Sequence, residues 1–545
     1  MKNVLKSLSI LSLIAFSAIL SSCGNDSTHG DHIAENLVPI KCEDNYRTMY
    51  QIFPYSFSDS DADGIGDIKG ISDKLDYISN LGYNGLWLTP VHKSDSYHKY
   101  DVDDYKTIDP KFGSLQDYDN LVTKCHDKGM TILLDLVLNH SSDSNEWFTK
   151  CIYDHLRNKT TDQYYNYYNV IKLVAGSPVP VGYTQSGELA YESRFWSGMP
   201  DLNLQNVLDE PSGYLANDIK SILKFWLIDH NIDGFRLDAV TSYFTNDTER
   251  NKQFLTWLNN ETKKIKPSAY IVGEGSWNSP NENKIYYSSG CDGFFMFEDA
   301  LSDGYICQSV SRKDATYYPY AINKNLEEVS GLSGIPAVFV ANHDTGRLVG
   351  SVSGKKDSSR VKLAQGILEM MNGCTYNYYG DEIGMAVSPQ ANGATTIKDE
   401  DKRQPMNWGD SYTCKPVAGS TECDDVDKYP FPTVKDQLND SNSIVNYVKK
   451  ANLVRNSFME ITHGTAEKIY SNNDGSFCVV KREYKNSSIL VLINASNLNY
   501  QNYSLASGSY KNVLASLCAT EGSYVGYLSS SDEVVVPPMG IAIVK

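Results

Sequence analysis

The sequence predicts an α/β protein: a closed (β/α)8 barrel with a small domain inserted after its third strand and a C-terminal antiparallel β-sandwich. Three observations carry this. Eight short apolar runs, near Met49–Phe53, Gly85–Pro90, Thr131–Val137, Asp233–Asp238, Ala269–Glu274, Gly293–Phe297, Ala337–Asn342 and Thr375–Tyr379, alternate with amphipathic or polar stretches, and strand–helix alternation implies parallel strands. Some sixty residues separate His140 from Asp201, too many for a plain loop. Beyond a helix-like stretch at Ser443–Arg455 the runs become short and β-like (Ser476–Val480, Ser488–Asn494, Val534–Val544), split by Asn, Gly and Ser, which reads as a sandwich.

Helical periodicity falls at Ile71–Leu81, Leu115–Lys128, Tyr214–His230, Asn251–Ile265 and Val361–Asn372. No dinucleotide fingerprint accompanies the repeats, which favours a closed barrel over a doubly wound sheet. The insert holds Tyr164-Tyr165-Asn166-Tyr167-Tyr168 and Arg194-Phe195-Trp196 and is expected to wall one side of a cleft. The implied organisation is a barrel over 44–139 and 202–455, the inserted domain over 140–201 and the sandwich over 456–545.

The N-terminus reads as a targeting segment. Lys2 and Lys6 form a basic region, and Leu8 to Leu20 is apolar but short for a spanning helix. Leu20-Ser21-Ser22-Cys23 resembles a bacterial lipobox, in which the signal (1–22) is cut before Cys23 and the thiol is lipidated. The alternative is an ordinary secretory signal with an incidental cysteine. Polar residues 24–43 read as a tether, so the chain is expected to be exported and to meet a membrane through that anchor only. No cysteine spacing resembles a metal knuckle; Cys414 and Cys423 are close enough in sequence to staple one loop, and no bridge is assigned.

The net charge of −18 argues against nucleic acid, whose phosphates need basic grooves; a neutral polymer is indifferent to it. The 38 Tyr and 7 Trp supply flat faces for sugar rings, although most tyrosines fill core edges.

Four segments end in acidic, amide or imidazole groups: Asp135-Leu-Val-Leu-Asn139-His140, Gly234-Phe-Arg236-Leu-Asp238, Val272-Gly-Glu274 and Val340-Ala-Asn342-His343-Asp344. Strand ends are where a (β/α)8 barrel places its chemistry. Cleaving a glycosidic bond with retention needs two carboxyl groups about 5 Å apart, one nucleophilic and one acid/base. Asp238 has a cation two residues earlier, Arg236, on the same strand face, which keeps a nucleophile ionised. Glu274 follows Ile271-Val272-Gly273 and precedes Trp277, a less polar setting that suits an acid. Asp344 is placed to bind sugar hydroxyls, as are His140 and His343. Each piece alone fits a structural pair or a helix cap; their joint occurrence in order does not.

These segments resemble the four signature regions of the α-amylase family of retaining glycoside hydrolases. Gly85-Leu-Trp-Leu-Thr-Pro90 resembles its second-strand motif, and Tyr100-Asp101-Val-Asp-Asp-Tyr105, with Ile108-Asp109-Pro110 and Phe112-Gly113, the stretch whose tyrosine stacks on the sugar. Tyr378-Tyr379-Gly380-Asp381-Glu382 and Arg403-Gln-Pro405-Met406-Asn-Trp408 resemble the eighth-strand region and its loop. The resemblance implies that Asp238 is the nucleophile, Glu274 the acid/base and Asp344 the transition-state stabiliser. It implies that Tyr100, His140, Arg236, His343 and Arg347 bind the sugar. Met199-Pro200-Asp201-Leu202-Asn203 is similar to the intermediate group between α-amylases and the neopullulanase and oligo-1,6-glucosidase types, whose members are often surface lipoproteins. Where many α-amylases have Lys-His after Asp238-Ala239-Val240, this chain has Thr241-Ser242.

Asp59-Ser-Asp61-Ala-Asp63-Gly64-Ile65-Gly66-Asp67 sets carboxylates at alternate positions with turn glycines, hard oxygen ligands that suit Ca2+. It is not an EF-hand, because the twelfth position is Gly70. The loop resembles a calcium site after the first barrel strand in the oligo-1,6-glucosidase and intermediate groups, which implies Asp59, Asp61, Asp63, the Ile65 carbonyl and Asp67 as ligands. A second calcium, common in the family, would use Asn139.

The leading expectation is a monomeric, lipid-anchored α-amylase acting on internal α-1,4 bonds of starch, glycogen or maltodextrins. The alternatives are an α-glucosidase, oligo-1,6-glucosidase or 4-α-glucanotransferase on the same scaffold, and, more remotely, a non-catalytic starch-binding lipoprotein.

Overall fold

The computed structural model describes residues 32–545 except 276, 278–279, 355, 388–396, 423, 506–509, 521–525 and 529–531. Cys23 and the signal lie outside the described residues, as does Cys423. Among the described residues every cysteine is free, and no helix is long and apolar enough to cross a membrane.

Eight parallel strands close a barrel: β1 Thr48–Ile52, β2 Gly85–Leu88, β3 Thr131–Leu136, β4 Gly234–Leu237, β5 Tyr270–Gly273, β6 Gly293–Phe295, β7 Ile335–Phe339 and β8 Cys374–Tyr378, with β8 pairing β1 and β3 pairing β4. The expected runs meet these strands within a few residues. Both strand faces are buried, as helices on the outside demand. Tyr50, Ile52, Leu86, Leu88, Ile132 and Leu134 face the helices, while Met49, Trp87, Leu133, Phe295, Phe339 and Tyr376 fill the interior. Register then stacks a polar layer above that plug, because Arg236 of β4 lies level with Asp135 of β3 and Val272 of β5. Gly234 opens β4 where a Cβ would lie 1.9 Å from the Tyr270 carbonyl oxygen, so no larger residue lets β4 and β5 approach there.

The helices follow the expected stretches with instructive breaks. Leu115–Asp127 starts on a Ser114/Asp117 capping box. Ile71–Leu81, expected as one helix, is two, Ile68–Asp73 and Leu75–Asn80, divided at Lys74. Tyr214–His230 ends in a π-turn, Phe225–Asp229, where the Trp226 indole donates to the Tyr105 carbonyl at 2.8 Å.

The insert carries helix Glu146–Leu156 and a three-stranded antiparallel sheet, Val170–Lys172, Leu189–Glu192 and Tyr183–Ser186. It is stitched back to the barrel rim by the bridges His140–Asp201 and Tyr168–Leu202. The C-terminal region packs a six-stranded sheet against a three-stranded one. Two expectations are corrected here. Val534–Val544 is two strands in different sheets, Glu533–Val536 and Gly540–Val544, because Pro537-Pro538 offers no N–H to a ladder. The tether expected over 24–43 is docked in its later part: His32–Ile33 adds an edge strand beside Val513–Cys518, and the Ile40 N–H donates to the Asn456 carbonyl.

Arg455 ties the last barrel helix to the floor beneath β8. Its buried guanidinium donates to the carbonyls of Glu369, Met371 and Gly373 and lies 3.7 Å from buried Glu369. Arg455→Met leaves these acceptors and the carboxyl unsatisfied, and is expected to lower stability by about 3–5 kcal/mol, measured by denaturant unfolding.

Candidate active site

The polar layer opens at the C-terminal ends of the strands into a cleft of about 480 Å³, walled on one side by Phe195 and Trp196 of the insert and on the other by Trp277. At its floor lies one guanidinium. Arg236, 1% exposed, donates from Nη1 to Asp238 at 2.6 Å and to Asp135 at 2.8 Å, and its Nη2 lies 3.2 Å from Glu274 Oε2. Asp238 and Glu274, from adjacent strands β4 and β5, are thus held by the two arms of one fork.

The fork works in a nearly dry site. Burial pushes the Asp238 carboxyl upward and Arg236 opposes it; burial likewise raises Glu274, with Arg236 opposing and Asp238 adding to the rise. Burial pushes Asp135 up to about 7 against the pull of Arg236. Asp344 is the contrast. Burial would raise it, but His343 at 3.0 Å and Arg403 at 2.8 Å hold it well below the usual carboxylate range.

Neutral groups complete the floor. Tyr100 stacks on His343, ring planes 6° apart, and its hydroxyl reaches both His343 Nε2 and Asp135. Burial lowers His140 and His98 to about 4, so both imidazoles are neutral at pH 7. His140 Nε2 is buried with no partner among the described residues while the ring lines the cleft, a free position for a sugar hydroxyl. Immediately after Asp238, Ala239 takes a left-handed φ of 48° and aims its N–H at Glu274 Oε2, 2.9 Å away; strain of this kind persists where surrounding structure enforces it.

A family model described as the α-amylase catalytic domain matches residues 51–464. The chain belongs to the α-amylase family. Alpha-amylase 3 of Dictyoglomus thermophilum is 34% identical over 465 residues, covering 83% of this chain and 85% of that protein. An oligo-1,6-glucosidase of Parageobacillus thermoglucosidasius is 28% identical, covering 82% and 89%. The solved structure of Eubacterium rectale Amy13B overlays with a TM-score of 0.83 at 36% identity, covering 93% of this chain and 96% of that one. This α-amylase-family chain is a glycoside hydrolase.

Within that family frame the structure gathers Tyr100, His140, Arg236, Asp238, Glu274, His343 and Asp344 in one place, and it leaves Arg347 out. Arg347 is buried and does not line the cleft, its guanidinium on the Tyr379 carbonyl and 3.3 Å from Asp381. The guanidinium that reaches the cleft is Arg403, bonded to Asp344, the His343 carbonyl and Tyr97. In the sequence Arg403 stands only as one residue of the Arg403–Trp408 motif, because its partner lies 59 residues away.

In the first-strand loop, carboxylate oxygens of Asp59, Asp61 and Asp67 lie within 4.8 Å of one another. Asp59 and Asp67 are buried, and no basic side chain pairs with any of the three among the described residues. Hard, unneutralised oxygens so close together fit Ca2+. Asp63, expected as a fourth carboxylate, stands outside the trio and accepts the Ile65 N–H at 2.7 Å. The second site expected at Asn139 does not fit a cation. Asn139 lies beside Asp201 (3.4 Å), and Asp201 and its neighbour Glu192 already share the Arg194 guanidinium, with Nε 3.7 Å from Asp201.

Asp135→Asn keeps the shape of the floor but withdraws a charge from Arg236. We expect kcat for glycoside hydrolysis to fall about 100-fold, the scale of losing one preorganised electrostatic partner, with the thermal midpoint little changed.

Proposed function

We propose that this chain is an α-amylase that cuts internal α-1,4 bonds of starch, glycogen or maltodextrins with retention of configuration. The observation that carries the reading is the Arg236 fork, whose two arms meet Asp238 and Glu274 from adjacent strands, the pair of carboxyl groups that a nucleophile and its acid/base partner require. An open cleft with aromatic walls suits a passing chain better than a closed pocket would, and the 34% identity to Alpha-amylase 3 agrees.

In this reading Asp238, kept ionised by Arg236, attacks the anomeric carbon while Glu274 protonates the departing oxygen. Glu274, now a carboxylate, takes a proton from the water that releases the glycosyl group. Asp344, fixed by Arg403 and His343, accepts hydroxyls of the distorted sugar, and Tyr100 stacks against its ring. Asp59, Asp61 and Asp67, joined by the Ile65 carbonyl that the family resemblance implies, would hold Ca2+, whose role there would be to brace the first-strand loop. Export, with Cys23 lipidated and the enzyme working as an anchored monomer on α-glucan, completes the proposal; it rests on the N-terminal sequence.

A second reading has one specific support. Thr241 and Ser242 line the cleft in place of Lys-His, so the leaving-group side departs from many α-amylases, and an exo-acting glucosidase, an oligo-1,6-glucosidase or a glucanotransferase fits there too. Product analysis separates them: the endo reading expects mixed-length oligomers early from starch, and glucose alone, or chains longer than those supplied, contradicts it. Glu274→Gln is expected to lose at least about 1,000-fold in kcat on starch with the fold intact. Calcium should raise the thermal midpoint and a chelator lower it, and Asp61→Asn should abolish that response; a wild-type midpoint indifferent to both removes calcium from the account.

A further inference from the structure

The two carboxyl oxygens of Glu274 are held in different ways. Oε2 accepts the Ala239 N–H and faces Arg236 Nη2. Neither donor has room to turn, since one is backbone in a left-handed turn and the other is buried. Oε1 has one partner among the described residues, the Trp277 indole N–H at 3.0 Å. That ring is 43% exposed, lines the cleft and stacks on Phe297 with centroids 4.3 Å apart.

A carboxylic acid carries a single O–H, and a hydroxyl oxygen is a poor acceptor. A proton on Oε2 would confront two fixed donors. A proton on Oε1 displaces one donor, on a ring with solvent to move into. We propose that Trp277 is a positioning residue that sets the proton affinity of Glu274, its indole N–H competing with the catalytic proton for Oε1. The inference rests on the acid/base role given to Glu274 above.

The bond changes are as follows. The Oε1–H proton passes to the glycosidic oxygen, which keeps the electron pair of the breaking C1–O bond while an Asp238 oxygen bonds to C1. Glu274 is left a carboxylate, and the indole N–H returns to Oε1. Water then attacks C1, the C1–Asp238 electron pair returns to Asp238, and the water proton goes to Oε1, displacing the indole again.

Other groups bear on the same carboxyl. Burial, Asp238 and Asp344 favour the protonated form, and Arg236 the ionised one. Tyr243 faces it from the loop after β4, and His343 and Arg403 act through Asp344. None of these charged groups is altered by a change at position 277, and Trp277→Phe keeps most of the burial. A hydrogen bond donated to the carboxylate favours the ionised form, so removing it raises the pKa.

Trp277→Phe keeps a ring for Phe297 and deletes the N–H. The alkaline limb of kcat/KM on an aryl α-maltotrioside, which reports protonated Glu274, is expected to move up by roughly half to one pH unit, with the acidic limb unmoved. Trp277→Ala deletes the same N–H but also opens the carboxyl to water, which opposes the rise, so its limb should lie below that of Trp277→Phe. The Glu274 carboxyl 13C resonance, assigned by its absence in Glu274→Gln, should titrate higher in Trp277→Phe by the same amount as the limb. A Trp277→Phe limb and resonance that coincide with the wild type, or move down, overturn the proposal. The resonance needs no turnover, so inactivity on every glucan would strike the proposed function while leaving this measurement to decide the role of Trp277.

Discussion

One buried guanidinium organises the site. Arg236 sits almost without solvent between Asp135, Asp238 and Glu274. Three buried carboxyl groups around one cation cannot all carry full charge at equal cost, so the environment separates them. Asp238 has the shortest contact, Glu274 the most distant and most exposed, and Asp135 sits deepest, where burial raises it to about 7. A nucleophile that is ionised and an acid that holds a proton need that division, and it comes from position along one fork.

The barrel makes the fork possible. Arg236 points inward only because β4 alternates its faces in register with β3 and β5, and the aromatic plug of Trp87, Phe295 and Tyr376 closes the space beneath. Trp87 lies under the guanidinium at 5.2 Å and donates to Asp135, so the same side chain excludes water from below and orients the carboxylate. Asp344 has its own partners, His343 and Arg403, which hold it in the ionised form, with Arg236 adding a smaller pull.

Much of this was legible in the sequence because it is local. Arg236 and Asp238 are two residues apart on one strand, and the eight apolar runs announce the barrel that gathers their partners. The rest depends on distance along the chain. Arg347 and Arg403 look alike in sequence; only folding shows that Asp381 captures the first and that the second reaches Asp344. Arg194 was read as part of a cleft wall, and only the return of the insert past Asn139 puts its guanidinium where a cation was expected. Trp277 marks a weakly polar setting in the sequence, whereas in the fold its polar N–H is what meets Glu274. Residues 32–40 lack periodicity and were read as a tether, although backbone pairing to strand Val513–Cys518 needs no side-chain pattern.

The central claim, that Asp238 is the group the fork presents to the anomeric carbon, has a direct test. Incubation with a fluorinated α-glucosyl fluoride whose glycosyl-enzyme hydrolyses slowly, followed by proteolysis and mass spectrometry, locates the covalent sugar. The account expects a single modified peptide with the label on Asp238. A label on Glu274 or on any other residue, or an active enzyme that never accumulates one, would contradict it.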